Sequence, residues 1–220
     1  MQNNPIDRQS PPPHPKGMSI VTEEGVITNL RNHLLVATAE MNGTFFERAV
    51  IYIANQGEEG SMGFVINQPL PRVNFTDIAK SMGIEDILAA GRESPITTRS
   101  LPIIYRGGPV ENTRGFVLHS PDYNLKSTID LTPEISLSAQ SDIVTDMARG
   151  HGPRHANFCL GYAGWNHGQL EQELHSNSWL ITPATPDILF HTPPAERYNA
   201  ATELLGLNTL NFSTQTIGLA

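Results

Sequence analysis

Apolar residues in this chain come in short runs, such as Leu34 to Ala39 and Ala49 to Ala54, each closed by Gly, Pro or a polar turn. That punctuation, from 18 Gly and 17 Pro in 220 residues, limits the chain to short strands and short helices. No run approaches the ~18 apolar residues that a membrane-spanning helix needs. Ala49 to Ala54 is β-branched and aromatic, Gln56 to Gly60 is a polar Gly-bounded turn, and Met62 to Ile66 resumes the apolar pattern. The three segments predict a β-hairpin, ended by Pro69 and Pro71.

Further along, Thr76 to Met82 has helical spacing at Ile78, Ala79 and Met82, and 84–90 adds a second turn or two. Residues 91–100 are polar and Gly/Pro-broken, which predicts a loop. Ile103 to Tyr105 and Phe116 to Leu118 are strand cores, interrupted by Gly107-Gly108-Pro109 and by Asn112 to Gly115. Ser136 to Arg149 places Leu137, Ile143, Val144 and Met147 at a helical period that stops at Gly150. Phe158 to Tyr162 predicts a strand, Gln169 to His175 a helix, and Trp179 to Ile181 a strand. Pro194 to Leu205 predicts a final helix, with Pro194 near its first turn and Gly206 at its end. Strands outnumber helices and most connections read as hairpins. The pattern is therefore α+β, with an antiparallel or mixed sheet, rather than doubly wound α/β.

Residues 1–17 carry five prolines and a single aliphatic residue, Ile6, too little apolar surface to offset the entropy of ordering. A disordered Pro-rich arm is expected over 1–19 and a single domain over 20–220. Such an arm either stays solvated or docks into an aromatic groove of a partner.

Fourteen Lys and Arg against 22 Asp and Glu give a formal charge of −8. Only three of the basic residues are Lys (Lys16, Lys80 and Lys126), so there is no Lys-rich patch to grip phosphates, and direct nucleic-acid binding is not expected. One cysteine, Cys159, excludes an internal disulfide and a Cys-based zinc cluster. With no apolar leader at the N-terminus, the expected setting is the cytoplasm, away from membranes, as a monomer or weak dimer.

Walker A, Gly-x-Gly-x-x-Gly, Gly-x-Ser-x-Gly and His-Glu-x-x-His patterns are all absent, so no catalytic motif or cofactor is expected. His167, Glu171 and His175 are spaced four apart and would suit a metal if all lay on one helix face. Gly168 interrupts that face, and a solvated polar surface is the expectation, with no metal. His151 and His155 are likewise separated by Gly152-Pro153. Cys159 sits in an apolar strand without an adjacent base and reads as a packed core residue. His119 and Ser120, as strand neighbours, point to opposite faces and make a poor base–nucleophile pair.

The best ligand-site candidate in the sequence is the Gly107-Gly108-Pro109 turn, with Arg106 before it and Arg114 beyond it. Two glycines let N–H groups converge on an anion, and an arginine grips it with a fork of donors. With His119, the apolar wall of Trp165 and the helix start at Gln169, these residues are expected to form one concave face for a small anionic ligand. A protein partner is the other occupant considered.

Laid end to end, the segments resemble the YqgE/AlgH family of bacterial proteins. The resemblance rests on Phe46 to Val50, Glu58 to Leu70, Gly107 to Val110, Arg114 to Ser120, Gly161 to Trp165, Gly168 to Glu173, Trp179-Leu180 and Asp187 to Phe190. It spans roughly 30–206. It implies a mixed, mostly antiparallel bifurcated β-sheet curled into a pseudo-barrel with flanking helices. One branch of that family is named for an effect on regulation of alginate synthesis and is often labelled a transcriptional regulator. No catalytic residue or cofactor comes with the resemblance. Where relatives often have Cys and His after the strand at 49–53, this chain has Ala54, Asn55 and Gln56. The resemblance implies no settled function; by elimination, an acidic chain with no catalytic motif and no DNA-reading signature is expected to be a non-enzymatic binding or regulatory protein with at most indirect effects on transcription. A small-anion sensor or enzyme, and a direct transcriptional regulator, are the alternatives.

Overall fold

Both faces of the central strands are buried, which is why their apolar runs do not alternate with polar residues. The computed structural model describes residues 20–22, 25–27, 29–93 and 101–206. Chain order begins with β1 (Ile20–Thr22), β2 (Gly25–Ile27), β3 (His33–Ala37), β4 (Val50–Gly57), β5 (Gly60–Val65), α1 (Phe75–Ser81) and α2 (Glu85–Glu93). It continues with β6 (Ile103–Arg106), β7 (Val110–His119), β8 (Ile129–Thr132), β9 (Ile135–Ser138) and α3 (Ser141–Ala148). The last elements are β10 (Ala156–Asn166), α4 (Gln169–His175), β11 (Trp179–Pro183), a π-turn at Asp187–His191 and α5 (Arg197–Glu203). The arm expected at 1–19 lies outside the described residues, as do positions 94–100 of the expected loop.

The main sheet runs β11-β3-β4-β5-β10-β7-β9-β8, with β6 added beside β10. It forks at β10. Ala163 to Asn166 pair antiparallel with β5, whereas Asn157 to Leu160 pair in parallel with β6. β7 covers the opposite edge of β10, antiparallel, with a bulge between Leu160 and Tyr162. The sheet is therefore mixed, mostly antiparallel and bifurcated, and it curls into a half-barrel flanked by helices.

Three apolar clusters follow from this curl. On one face, Leu34, Val36, Val50, Tyr52, Phe64 and Ile66 pack with Phe116, Leu118, Cys159, Leu189 and Ala201. On the other face of the same strands, Leu35, Ala37, Ile51, Ile53 and Val65 pack with Trp165, Leu170 and Trp179. The third cluster sets α1 to α3 against β6, β7 and β10 through Phe75, Ala79, Ile104, Val117, Ile143, Val144, Met147 and Phe158. Each fully buried Val, Leu, Ile or Phe contributes about 1.5–3 kcal/mol.

The expected hairpin is present as β4 and β5, with Gly57 opposite Gly60. α1 begins at Asn74, whose side chain accepts from Thr76 and Asp77 while Asp77 returns a bond to the Asn74 N–H. α4 occupies the expected residues. Elsewhere the structure corrects the sequence reading. The helix expected over Ser136 to Arg149 is a strand, β9, followed by α3; Ile135 and Leu137 alternate with Ser136 and Ser138, a period of two too short to stand out. Phe116 to Leu118 lies near the end of a ten-residue strand that runs through Asn112 to Gly115 instead of breaking there. The expected loop starts later, because α2 runs on to Glu93. The final helix is shorter than expected, with 194–196 in a turn before Arg197.

The glycines after β6 serve close approach. A Cβ on Gly108 would stand 1.9 Å from the Tyr162 carbonyl carbon, and one on Gly107 would stand 2.3 Å from the Gly161 oxygen. Only glycine lets this turn lie directly on the β10 bulge.

Candidate functional site

α5 turns Arg197, Ala201 and Thr202 inward. Arg197 is 3% exposed and makes no ion pair with any carboxylate among the described residues. Its Nε donates to the Thr192 carbonyl at 2.9 Å, Nη1 donates to the Ile66 carbonyl, and Nη2 reaches Asn157 Oδ1 at 3.4 Å. The guanidinium carbon lies 5.2 Å from the centroid of the Tyr105 ring. Asn157 is fixed in turn, its Nδ2 donating to Leu189 O at 2.8 Å. Burial pulls the Arg197 pKa below its ordinary value, partly opposed by Tyr105.

Arg197, Tyr105 and Asn157 line a cavity of about 170 Å³ between β6, the start of β10 and the π-turn. Leu101, Ile103, Met147 and Phe190 supply its apolar wall. His155 stands at the same cavity, stacked on Phe190 at 6.2 Å and edge-on to His191 at 4.6 Å between ring centroids. Arg154 also lines it but is exposed and lies 3.7 Å from Asp122. The Tyr105 hydroxyl is buried beside the Arg197 guanidinium, and its own proton has no acceptor. Such an orphan donor costs about 1–3 kcal/mol, a cost that an acceptor entering the cavity removes. A buried cation without a carboxylate, beside an unsatisfied hydroxyl, is the chemistry of an anion site.

Cys159 lies beneath this site, fully buried, its thiol pushed up to about 12 by desolvation against the opposing pull of Arg197. A thiol held protonated is a packing residue, as its apolar neighbours suggest.

The six residues singled out in the sequence fall in three places. Gly107 and Gly108 lie against the β10 bulge, where Gly107 N–H donates to Leu160 O at 2.9 Å, and Arg114 precedes Gly115, which pairs with Leu160. The space beside both glycines is filled by backbone, and Arg114 bonds the Glu111 carboxylate at 2.9 Å on the surface. His119 is five residues further along β7, ~17 Å away. It is fully buried, with Nδ1 2.9 Å from Ser120 O and Nε2 3.0 Å from Ser138 Oγ. A carbonyl only accepts, so Nδ1 carries the proton and Ser138 donates to Nε2. Thr128 completes the chain at 2.8 Å from Ser138 Oγ.

Trp165 and Gln169 form the third group. The Trp165 and Trp179 indoles both donate to Glu173 Oε2 at 2.8 Å, while Gln169 Nε2 donates to Oε1 at 3.0 Å. The single concave face expected from these residues is not assembled, since the β7–β10 ladder spaces its parts along two strands. None of the six lines the Arg197 cavity. His175 Nδ1 bonds the Glu171 carbonyl of its own helix, and Gln56 donates to the Glu171 carboxylate. Among the described residues no three His, Cys, Asp or Glu side chains are placed to hold a metal ion.

The model of the AlgH-like family matches residues 34–210, which include β3 from its second residue, β4 to α5 and every residue of the cavity. The chain belongs to the AlgH-like family. Among its AlgH-like relatives, a UPF0301 protein of Blochmanniella floridana is 37% identical over 190 residues, 86% of this chain and 96% of the relative. A UPF0301 protein of Shewanella woodyi is 39% identical over 190 residues, 86% of this chain and 98% of the relative. The solution structure of the AlgH protein from Pseudomonas aeruginosa is 38% identical, with a TM-score of 0.64, covering 88% of this chain and 97% of that one. A crystal structure from Corynebacterium diphtheriae, 18% identical with a TM-score of 0.57, shares the fold.

Within this AlgH-like chain the cavity residues gave little sequence signal. Tyr105 ends an apolar run, and Asn157 precedes one. Arg197 stands in a short helix beside Tyr198 and three alanines at 195, 200 and 201. The available clue was that an inward helical face at 197 and 201 carries a cation. The Ala54, Asn55, Gln56 segment does have a role in this AlgH-like fold. Gln56 accepts from the Leu30 N–H at 2.6 Å and ties β4 to α4 through Glu171.

Proposed function

We propose that this chain is a non-enzymatic, cytosolic binding protein that takes a small anion in the Arg197 cavity. Any effect it has on transcription is then indirect, through a ligand-dependent contact with a protein partner. The observation that carries this reading is a buried guanidinium without a carboxylate, next to an orphan hydroxyl in the same cavity. The inert Cys159 thiol and the hydrogen-bonded, buried His119 support binding over catalysis. A formal charge of −8 supports protein or metabolite partners over nucleic acid, and the described residues contain no helix long and apolar enough to cross a membrane. In this reading the protein works as a monomer or weak dimer.

A thermal-shift screen of anionic metabolites tests the reading. The expected result is a rise in Tm that survives Arg114→Ala and is lost in Arg197→Met. A rise lost in Arg114→Ala instead places the anion at the Gly107-Gly108 turn. A gel shift that withstands competitor DNA at physiological salt would favour a direct transcriptional regulator.

A further inference from the structure

We propose that the ligand of the Arg197 cavity is a monocarboxylate carried on a compact apolar body. This inference rests on the cavity being an anion site and adds the class of anion. A guanidinium has five N–H donors. Three are directed at Thr192 O, Ile66 O and Asn157 Oδ1. One N–H on Nη1 and one on Nη2 are left over from these bonds, beside the Tyr105 hydroxyl, and a carboxylate entering the cavity can accept from them. The Tyr105 hydroxyl is a third donor, its proton without an acceptor.

Charge points the same way. Arg197 is the buried cation of this cavity, and the other arginine that lines it, Arg154, is exposed beside Asp122. A monoanion neutralises one buried guanidinium. A phosphate dianion would bring a second negative charge into a site with no second buried cation. The wall of Leu101, Ile103, Met147 and Phe190 suits an aliphatic or aromatic body behind the carboxylate.

Isothermal titration calorimetry of the full chain with benzoate, hexanoate, inorganic phosphate and the neutral amide benzamide tests this. The expected result is that benzoate or hexanoate binds, with phosphate and benzamide at least about tenfold weaker. Arg197→Met should abolish the binding. Tyr105→Phe, which removes the hydroxyl and keeps the buried ring, should weaken it by about three- to tenfold. Phosphate binding without either carboxylate overturns the monocarboxylate and leaves the anion site standing. Benzamide binding as well as benzoate overturns the inference, because charge is then not what is recognised. Carboxylate binding undiminished in Tyr105→Phe and in Arg197→Met also overturns it, by placing the ligand elsewhere. No heat with any of the anions overturns both the inference and the reading beneath it.

Discussion

The guanidinium carbon of Arg197 lies 5.2 Å from the centroid of the Tyr105 ring, and both side chains are buried. Together they join α5 to β6, elements 92 positions apart in the chain. The cation satisfies backbone carbonyls at Ile66 and Thr192, so it closes the half-barrel as well as facing the cavity. Replacing it by Met leaves those acceptors without donors. Arg197→Met should destabilise the protein by about 2–4 kcal/mol, read from urea unfolding. A loss under ~0.5 kcal/mol would mean that the guanidinium bonds are not formed in solution.

Tyr105→Phe should behave in the opposite sense. The hydroxyl is desolvated and its proton has no acceptor, so its removal should leave stability unchanged or raise it by up to ~1 kcal/mol. Stability and ligand affinity would then move in opposite directions at one residue. A large destabilisation on urea unfolding would show that the hydroxyl proton has an acceptor in the free protein.

Glu173 holds α4 on the sheet by accepting from two buried indoles through one oxygen. Glu173→Ala would orphan both donors. The expected loss is about 3 kcal/mol, measured by chemical unfolding followed through tryptophan fluorescence. Glu171→Ala, whose partner is the partly exposed Gln56, should cost less than ~1 kcal/mol. Equal losses in the two variants would contradict the assignment of Glu173 as the anchor.

His119 gives the fold an acid-sensitive element. Burial lowers its pKa from 6.5, with smaller opposing contributions from Ser120, Asp122 and Asp130. Below about pH 6.5 the unfolded chain therefore binds a proton that the native protein resists. Stability falls as pH drops through that value, by up to ~1.4 kcal/mol per pH unit, and is unaffected by His119 above it. Urea midpoints at pH 8 and pH 5.5 should differ in the native protein and differ less in His119→Gln. An unchanged gap in the variant would assign the acid sensitivity to other groups.

Much of the fold was legible because local chemistry and tertiary context agree. The polar turn at Gln56 to Gly60, the helical spacing of Ile78, Ala79 and Met82, and the four-residue spacing of Leu170 and Leu174 each state their element in the sequence. β9 was not legible. Ser136 and Ser138 are buried polar residues, satisfied by Asp130 and by His119 with Thr128, partners that only the folded sheet supplies. The long reach of β7 was hidden for a related reason, since Val110 and Gly115 to His119 pair with β10 on either side of an irregular stretch at 111–114. The family resemblance carried the bifurcated sheet. The cavity was least legible of all. Tyr105, Asn157 and Arg197 come from three distant segments, and what marks them is a buried cation with no carboxylate beside it, a property of the folded state. Gly107 and Gly108 were visible as unusual residues, yet their glycine character is explained by the backbone of Gly161 and Tyr162 packed against them.

The central claim is that Arg197 meets an anion in its cavity. The most direct test is side-chain ¹⁵N NMR of the arginines during titration with benzoate. The account predicts that the Arg197 resonances, assigned by their loss in Arg197→Met, shift saturably while those of Arg114 stay fixed. Arg197 resonances that remain unmoved while other residues of the protein respond to benzoate would contradict it.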